Sequence, residues 1–185
     1  MRIIAGEFRG RRLAAVGKGD PGAHLRPTTD RVREALFNML DGGRFGAPFD
    51  GTRVLDLFAG TGALGLEALS RGAAFVTFVE KGRVGQQLIR ENLKILDCAD
   101  RARLIGADAL RLPRAEAQAD LVFLDPPYGK GMGEKALTAA RAAGWIAPEA
   151  LIVWEESAPQ VAPEGFALLE HRKYGDTTVT LLEAV

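Results

Sequence analysis

The chain has 185 residues, which suits one domain with a sizeable core and a small extension. Its 47% hydrophobic and 26% charged residues are the proportions of a soluble globular protein. Lys+Arg and Asp+Glu both number 24, so bulk charge singles out no partner; one cysteine excludes an internal disulfide.

The charge is unevenly placed. Residues 1–33 hold eight basic residues against three acids, a surplus of +5 that leaves −5 for the rest. A basic arm on a mildly acidic body attracts polyanions, although a solvated surface has the same composition. Cys98 lacks a His or Cys within ligand spacing and reads as structural, and His24 and His171 make no metal pattern, so no metal is expected. No apolar run approaches the ~20 residues that span a bilayer, and IIAG after Arg2 is too short for a signal-peptide core. The cytoplasm is the expected location.

In chain order, RIIAGEFRGRRLAAV (2–16) has two short apolar pieces around a Gly- and Arg-rich centre, which predicts a β-hairpin. GKGDPGAHLRPTT (17–29) is loop chemistry. Residues 1–29 are thus expected to form a basic hairpin and arm, and 30–185 the main domain. A helix capped by Asp30 follows, with Val32, Ala35, Leu36, Met39 and Leu40 on one face. Beyond the breaker at 41–51, strands are predicted at 52–58, 74–80, 101–108, 120–125 and 150–156. Helices are predicted at 59–72 (after a turn), 83–96 and 133–144. FALLEHRKYGDTTVTLLEA (166–184) reads as a hairpin around KYGDT. This alternation predicts an α/β fold with a mostly parallel sheet, helices on both faces and an antiparallel C-terminal edge.

Ligands of such sheets sit beyond the carboxyl ends of the strands. Four strands here end in an acid or lead to one: Asp56, Glu80, Asp108 and Asp125. VLDLFAGTGALG carries Gly60, Gly62 and Gly65 in the G-x-G-x-x-G spacing, with Glu80 twenty residues after Gly60. That is the dinucleotide fingerprint, but tight strand-to-helix turns need glycine anyway. A pyrophosphate wants N–H groups and no nearby anion; Asp56 lies four residues before Gly60 and would repel it. A ligand with ribose, adenine and a cationic tail suits the loop better, and the absence of Gly-Lys-[Ser/Thr] argues against ATP.

DLFAGTGALGLEALSRG, VE at 79–80, GAD at 106–108 and DPPY at 125–128 resemble, in order and spacing, the motifs of class I S-adenosylmethionine-dependent methyltransferases. The resemblance implies a doubly wound, seven-stranded Rossmann-like sheet and S-adenosyl-L-methionine as cofactor, released as S-adenosyl-L-homocysteine. It implies Glu80 on the ribose hydroxyls, Asp108 and Ala109 near the adenine, and Asp56, Phe58, Ala59, Gly60, Thr61, Gly62 and Asp125 around the remainder. Taken singly, Glu80 also reads as a helix-start acid and Asp108 as a turn residue.

DPPY also resembles the [Asn/Asp]-Pro-Pro-[Tyr/Phe/Trp] motif of methyltransferases acting on amino groups conjugated to a ring or carbonyl. Two prolines end any ladder and fix the chain in an extended form, so the run is at least a strand-ending turn. The Asp125 carboxylate and Pro126 carbonyl offer two acceptors for an amine's N–H bonds, Pro127 stiffens the loop, and Tyr128 offers a ring on which a base can stack.

The ends of the chain narrow the substrate by resemblance alone. MRIIAGEFRGRRL, LRPTTDRVREALFNML and RKYGDTTVTLLE look like the bacterial 16S ribosomal RNA guanine-N2 methyltransferase family (the RsmD type). That resemblance implies one guanine of 16S ribosomal RNA, or of an assembling small subunit, as substrate; a monomer is expected. Arg9, Arg11, Arg12, Arg26, Arg31 and Arg33 would be phosphate contacts and Phe8 a stacking residue. A DNA or glutamine amino-methyltransferase, an NAD-dependent oxidoreductase and a non-catalytic RNA-binding module are the alternatives.

Overall fold

The computed structural model describes residues 1–16 and 29–185. Helix α1 (Asp30–Asp41) leads into β1 (Arg53–Leu57), α2 (Ala63–Ser70), β2 (Phe75–Val79), α3 (Arg83–Leu96), β3 (Ala102–Ile105), β4 (Ala119–Leu124), α4 (Met132–Ala142) and β5 (Ile146–Glu156). A hairpin of β6 (Phe166–Tyr174) and β7 (Thr177–Ala184) closes the chain. The strands form one seven-stranded sheet ordered β3-β2-β1-β4-β5-β7-β6. The first five run parallel, and β7 is antiparallel to both β5 and β6, as the alternation predicted. From β1 the chain steps outward through β2 and β3, then returns to the other flank of β1 with β4. The carboxyl ends of β1 and β4 therefore flank the switch point, where an open α/β sheet leaves a crevice.

Successive strand residues point to opposite faces, which splits the apolar runs into two cores. Val54, Val76, Phe78, Leu121 and Phe123 pack with Leu36, Phe37 and Leu40 of α1, Leu66 and Leu69 of α2, and Ile89 of α3. Leu55, Leu57, Val122, Leu124, Ile152 and Trp154 pack with Ala136, Leu137 and Ala140 of α4 on the other face. Both faces of β1 and β4 are covered, which is why these strands read as continuous apolar runs.

One expectation at the start of the chain needs correction. The N-cap of α1 is Thr29, whose side chain accepts the Val32 N–H at 3.3 Å from an extended backbone, and Asp30 is the first helical residue. Residues 1–16 form no extended strand; one antiparallel bridge, Arg2 to Arg12, and backbone bonds from Ile3 N–H to the Arg11 carbonyl (2.9 Å), Gly10 N–H to the Ile3 carbonyl (2.8 Å) and Leu13 N–H to the Met1 carbonyl (3.1 Å) join their two arms. Gly6 and Gly10, both at positive φ, make the turns between those arms. The segment is also fastened to α2. Glu67 accepts the N–H groups of Ile4 (2.9 Å) and Ala5 (3.1 Å), and Ser70 Oγ accepts that of Phe8 (2.9 Å). Ile3, Phe8 and Leu13 join the same core as α1 to α3.

Candidate active site

The loop after β1 turns sharply, with Phe58 and Gly60 both at positive φ (59° and 58°). It is tied down by Ala59 N–H to the Val79 carbonyl at 3.0 Å and by Gly62 N–H to the Ala59 carbonyl at 2.8 Å. Gly65 lets α2 lie directly on β2, since a Cβ there would stand 2.5 Å from the Phe78 ring and 2.7 Å from Val76 Cγ1. Asp56, 1% exposed, accepts the Gly65 N–H at 3.0 Å. Burial pushes its carboxyl well above the ordinary value of 3.8; the Gly65 N–H opposes this, while the charges of Glu80 and Glu155 add to it.

Glu80, at the end of β2, bridges two loops: its carboxylate accepts the N–H groups of Gly60 (2.8 Å) and Gly82 (2.7 Å). Asp108 accepts the Leu110 N–H at 3.0 Å, as a turn residue does, and lies 3.9 Å from Lys81 Nζ. Asp56, Phe58, Ala59, Gly60, Thr61, Glu80, Asp108, Ala109 and residues 125–128 all line one cleft of about 810 Å³ at the switch point. Gly62 does not line it; it seats the loop on α3 and β2, with Ile89 Cγ1 and Phe78 Cε1 each 3.2 Å from where a Cβ would lie. A second groove of about 600 Å³ beside the end of α4 is lined by Leu, Ala, Gly and two arginines, with no acid, and carries none of this chemistry.

The loop after β4 faces the glycine loop across this cleft. Its start is tied to β1 by Asp125 N–H to the Leu57 carbonyl at 3.4 Å. Pro126 is buried, Pro127 exposed, and Asp125 and Tyr128 are half-buried. The Tyr128 hydroxyl lies 3.1 Å from Thr177 Oγ1, and Glu156 accepts the Gly129 N–H at 3.0 Å. Thr177, Lys81, Gly82, Val84, Gly85 and Lys130 also line the cleft and were not anticipated. Gly85 carried one signal, a glycine in the first turn of a helix where most residues are better formers. Thr177 carried none beyond its place in the KYGDT turn.

The expected polyanion contacts divide. Arg9, Arg11, Arg12 and Arg31 are exposed, and Arg26 lies outside the described residues. Phe8 is not a stacking residue: it is 6% exposed, packed in the core with the Arg101 guanidinium 5.4 Å from its ring centre. Arg33 is not a phosphate contact. It lies on the inner stripe of α1 with Leu36, Phe37 and Leu40, fully buried, donating to Asp30 at 3.0 Å and to the Arg2 carbonyl, with Glu67 at 4.0 Å. The buried stripe is rotated from the one read in the sequence, and it contains an arginine because Glu67 supplies a counter-charge.

The donor set discriminates between ligands. Gly60 N–H, which a pyrophosphate would need, is engaged by Glu80, and Glu80, Asp108 and Asp125 border the cleft beside the cations Lys81, Arg83 and Lys130. A ligand with hydroxyl donors and a cationic amino-acid tail fits this lining and a dinucleotide does not. Sheet order, glycine loop and facing Asp-Pro-Pro-Tyr together define a Rossmann-like methyltransferase of the S-adenosylmethionine-dependent class. The family model described as Conserved hypothetical protein 95 matches residues 1–183, and the chain belongs to that family, the RsmD type. It is 42% identical over 189 residues to Ribosomal RNA small subunit methyltransferase D of Escherichia coli K12, covering 99% of this chain and 89% of that one. It is 37% identical over 190 residues to the Haemophilus influenzae protein of the same name, covering 99% and 93%. The solved structure described as "Putative methyltransferase yhhF from Escherichia coli" superposes with a TM-score of 0.81 at 37% identity, covering 100% of this chain and 97% of that one.

Proposed function

We propose that this protein transfers a methyl group from S-adenosylmethionine to the exocyclic N2 of a guanine in 16S ribosomal RNA, acting as a monomer on the RNA or an assembling small subunit. The observation that carries this reading is that the glycine loop and the Asp-Pro-Pro-Tyr loop border one cleft at the β1/β4 switch point. S-adenosylmethionine supplies an electrophilic methyl group. Glu80 would hold the ribose hydroxyls, Asp108 and Ala109 would flank the adenine, and Phe58, Ala59, Gly60 and Thr61 would take the amino-acid part. A guanine amino group is a weak nucleophile because its lone pair is delocalised into the ring. The Asp125 carboxylate and the Pro126 carbonyl accept its two N–H bonds, aim the nitrogen at the methyl group, and favour the pyramidal form. Tyr128 stacks on the base. Positioning of this kind contributes about several kcal/mol to lowering the barrier, and Asp125 stabilises the positive charge that develops on nitrogen. The methylated nitrogen sheds one proton, which Asp125 relays to solvent. The exposed arginines at 9, 11, 12 and 31 meet the phosphate backbone.

The test is transfer of labelled methyl to unmethylated small subunits and to their naked RNA, followed by nucleoside analysis. Label in N2-methylguanosine, abolished in Asp125→Ala, is the expected result. Label in another base, in DNA or in a glutamine side chain would replace the substrate; no label with any acceptor would remove the reading.

A further inference from the structure

Two prolines fix the backbone at the start of the 125–128 loop, but they do not fix the Tyr128 ring, which turns about its own χ1 and χ2. What meets the ring's far end comes from the antiparallel part of the sheet. The Tyr128 hydroxyl lies 3.1 Å from the Oγ1 of Thr177, 49 residues away in sequence. Thr177 is the first residue of β7 and pairs with Tyr174 across the hairpin. The strand it begins is hydrogen-bonded on both sides, to β5 and to β6, and its next residues, Thr178, Val179 and Thr180, are buried. Thr177 is therefore a rigid mount, and its β-branched side chain has few rotamers in a strand. A second tie lies one residue beyond the ring. Glu156, 4% exposed at the end of β5, accepts the N–H groups of Gly129 (3.0 Å) and Ser157 (2.9 Å).

We propose that Thr177 is a positioning residue of the methyl-transfer site: its hydroxyl holds the Tyr128 phenol and so sets the plane of the ring against the target base. This rests on the reading of the 125–128 loop given above. The C-terminal hairpin then belongs to the active site as well as to the sheet edge. Thr177 touches neither the reacting nitrogen nor the methyl group; it acts through Tyr128.

Four proteins test this: the wild type, Thr177→Val, Tyr128→Phe and the double variant, with Thr177→Ser as the conservative control. Valine keeps the shape and removes the hydroxyl. Thr177→Val is expected to lower kcat/KM for RNA by roughly 3- to 10-fold, the range of one lost hydrogen bond. The S-adenosylmethionine Kd and Tm should stay at wild-type values, and Thr177→Ser should restore the rate. In the Tyr128→Phe background, Thr177→Val should cost nothing further, because the partner is already gone. Additive losses, or a Thr177→Val enzyme indistinguishable from wild type, would overturn the proposal. Asp125→Ala separates the two levels: if it is inactive while Thr177→Val is silent, only the role of Thr177 falls. A readout independent of substrate is the ring resonance of Tyr128 in ¹³C-tyrosine-labelled protein, which has two tyrosines to assign. It should move in Thr177→Val and return in Thr177→Ser; an unmoved resonance counts against the proposal whatever the acceptor.

Discussion

Asp56 and Glu80 both follow or end an inner strand and both border the cleft, yet they stand in different electrostatic positions. Glu80 takes a backbone N–H on each oxygen, whereas Asp56 is buried with one, and burial pushes its carboxyl well above 3.8. The native protein thus holds a proton that the unfolded chain releases, so this group's contribution is favourable below about pH 4 and is lost as pH rises towards the elevated native value. Asp56→Asn keeps an oxygen for the Gly65 N–H and removes the titration. In urea unfolding without cofactor, the variant should be the more stable protein at pH 7, with the difference vanishing near pH 4; a difference independent of pH would mean that Asp56 is ionised in the native state. Gly85 makes the neighbouring point sterically. A Cβ there would stand 2.8 Å from Glu80 Cγ and 2.9 Å from the Gly60 carbonyl oxygen. Gly85→Ala should therefore weaken S-adenosylmethionine binding at least tenfold by calorimetry while shifting Tm little, because the displaced groups lie at the cleft and outside the core. The acids and DPPY were legible because each sits where a strand ends, a position that sequence pattern locates well. Gly85, Thr177 and Glu156 were not, because their meaning lies in neighbours that only the folded chain supplies.

The elements from β1 onward were readable because each satisfies one local rule at a time, a period of two or of 3.6 between turn residues. The docking of the N-terminal segment was not readable, because it depends on α2. Glu67, fully buried, accepts two N–H groups of the segment, pairs with Arg71 Nε at 3.0 Å and faces Arg33 at 4.0 Å. No periodicity in residues 1–16 encodes that carboxylate. Its removal leaves two arginines short of their buried partner, a change that costs about 3–5 kcal/mol. Glu67→Ala should lose stability on that order in chemical unfolding, and hydrogen exchange should show residues 3–8 losing protection ahead of β1 and β4. If those amides stay protected, the segment is held by Ile3 and Phe8 in the core and the carboxylate is incidental.

At the scale of the whole molecule, formal neutrality conceals a division: the surplus of +5 in the first 33 residues faces an acidic remainder and a cleft bordered by carboxylates. The sequence shows the surplus but not which of its members reach solvent, and the structure separates exposed Arg9, Arg12 and Arg31 from buried Arg33. In the cleft the cations Lys81, Arg83 and Lys130 stand among acids, so the basic surface free of acids is that of the exposed arginines, and phosphate attraction is assigned to them. Replacing Arg9, Arg12 and Arg31 together by Gln should leave kcat at saturating RNA near wild type and raise KM. Each phosphate contact on single-stranded RNA contributes about 0.7 to the slope of log affinity against log salt, so the triple variant's slope should be shallower by about 2. Arg33→Gln should behave in the opposite way, lowering Tm without changing the slope. A triple variant with an unchanged slope would place the phosphate contacts elsewhere, and Lys81, Arg83 and Lys130 around the cleft would then be the residues to substitute next.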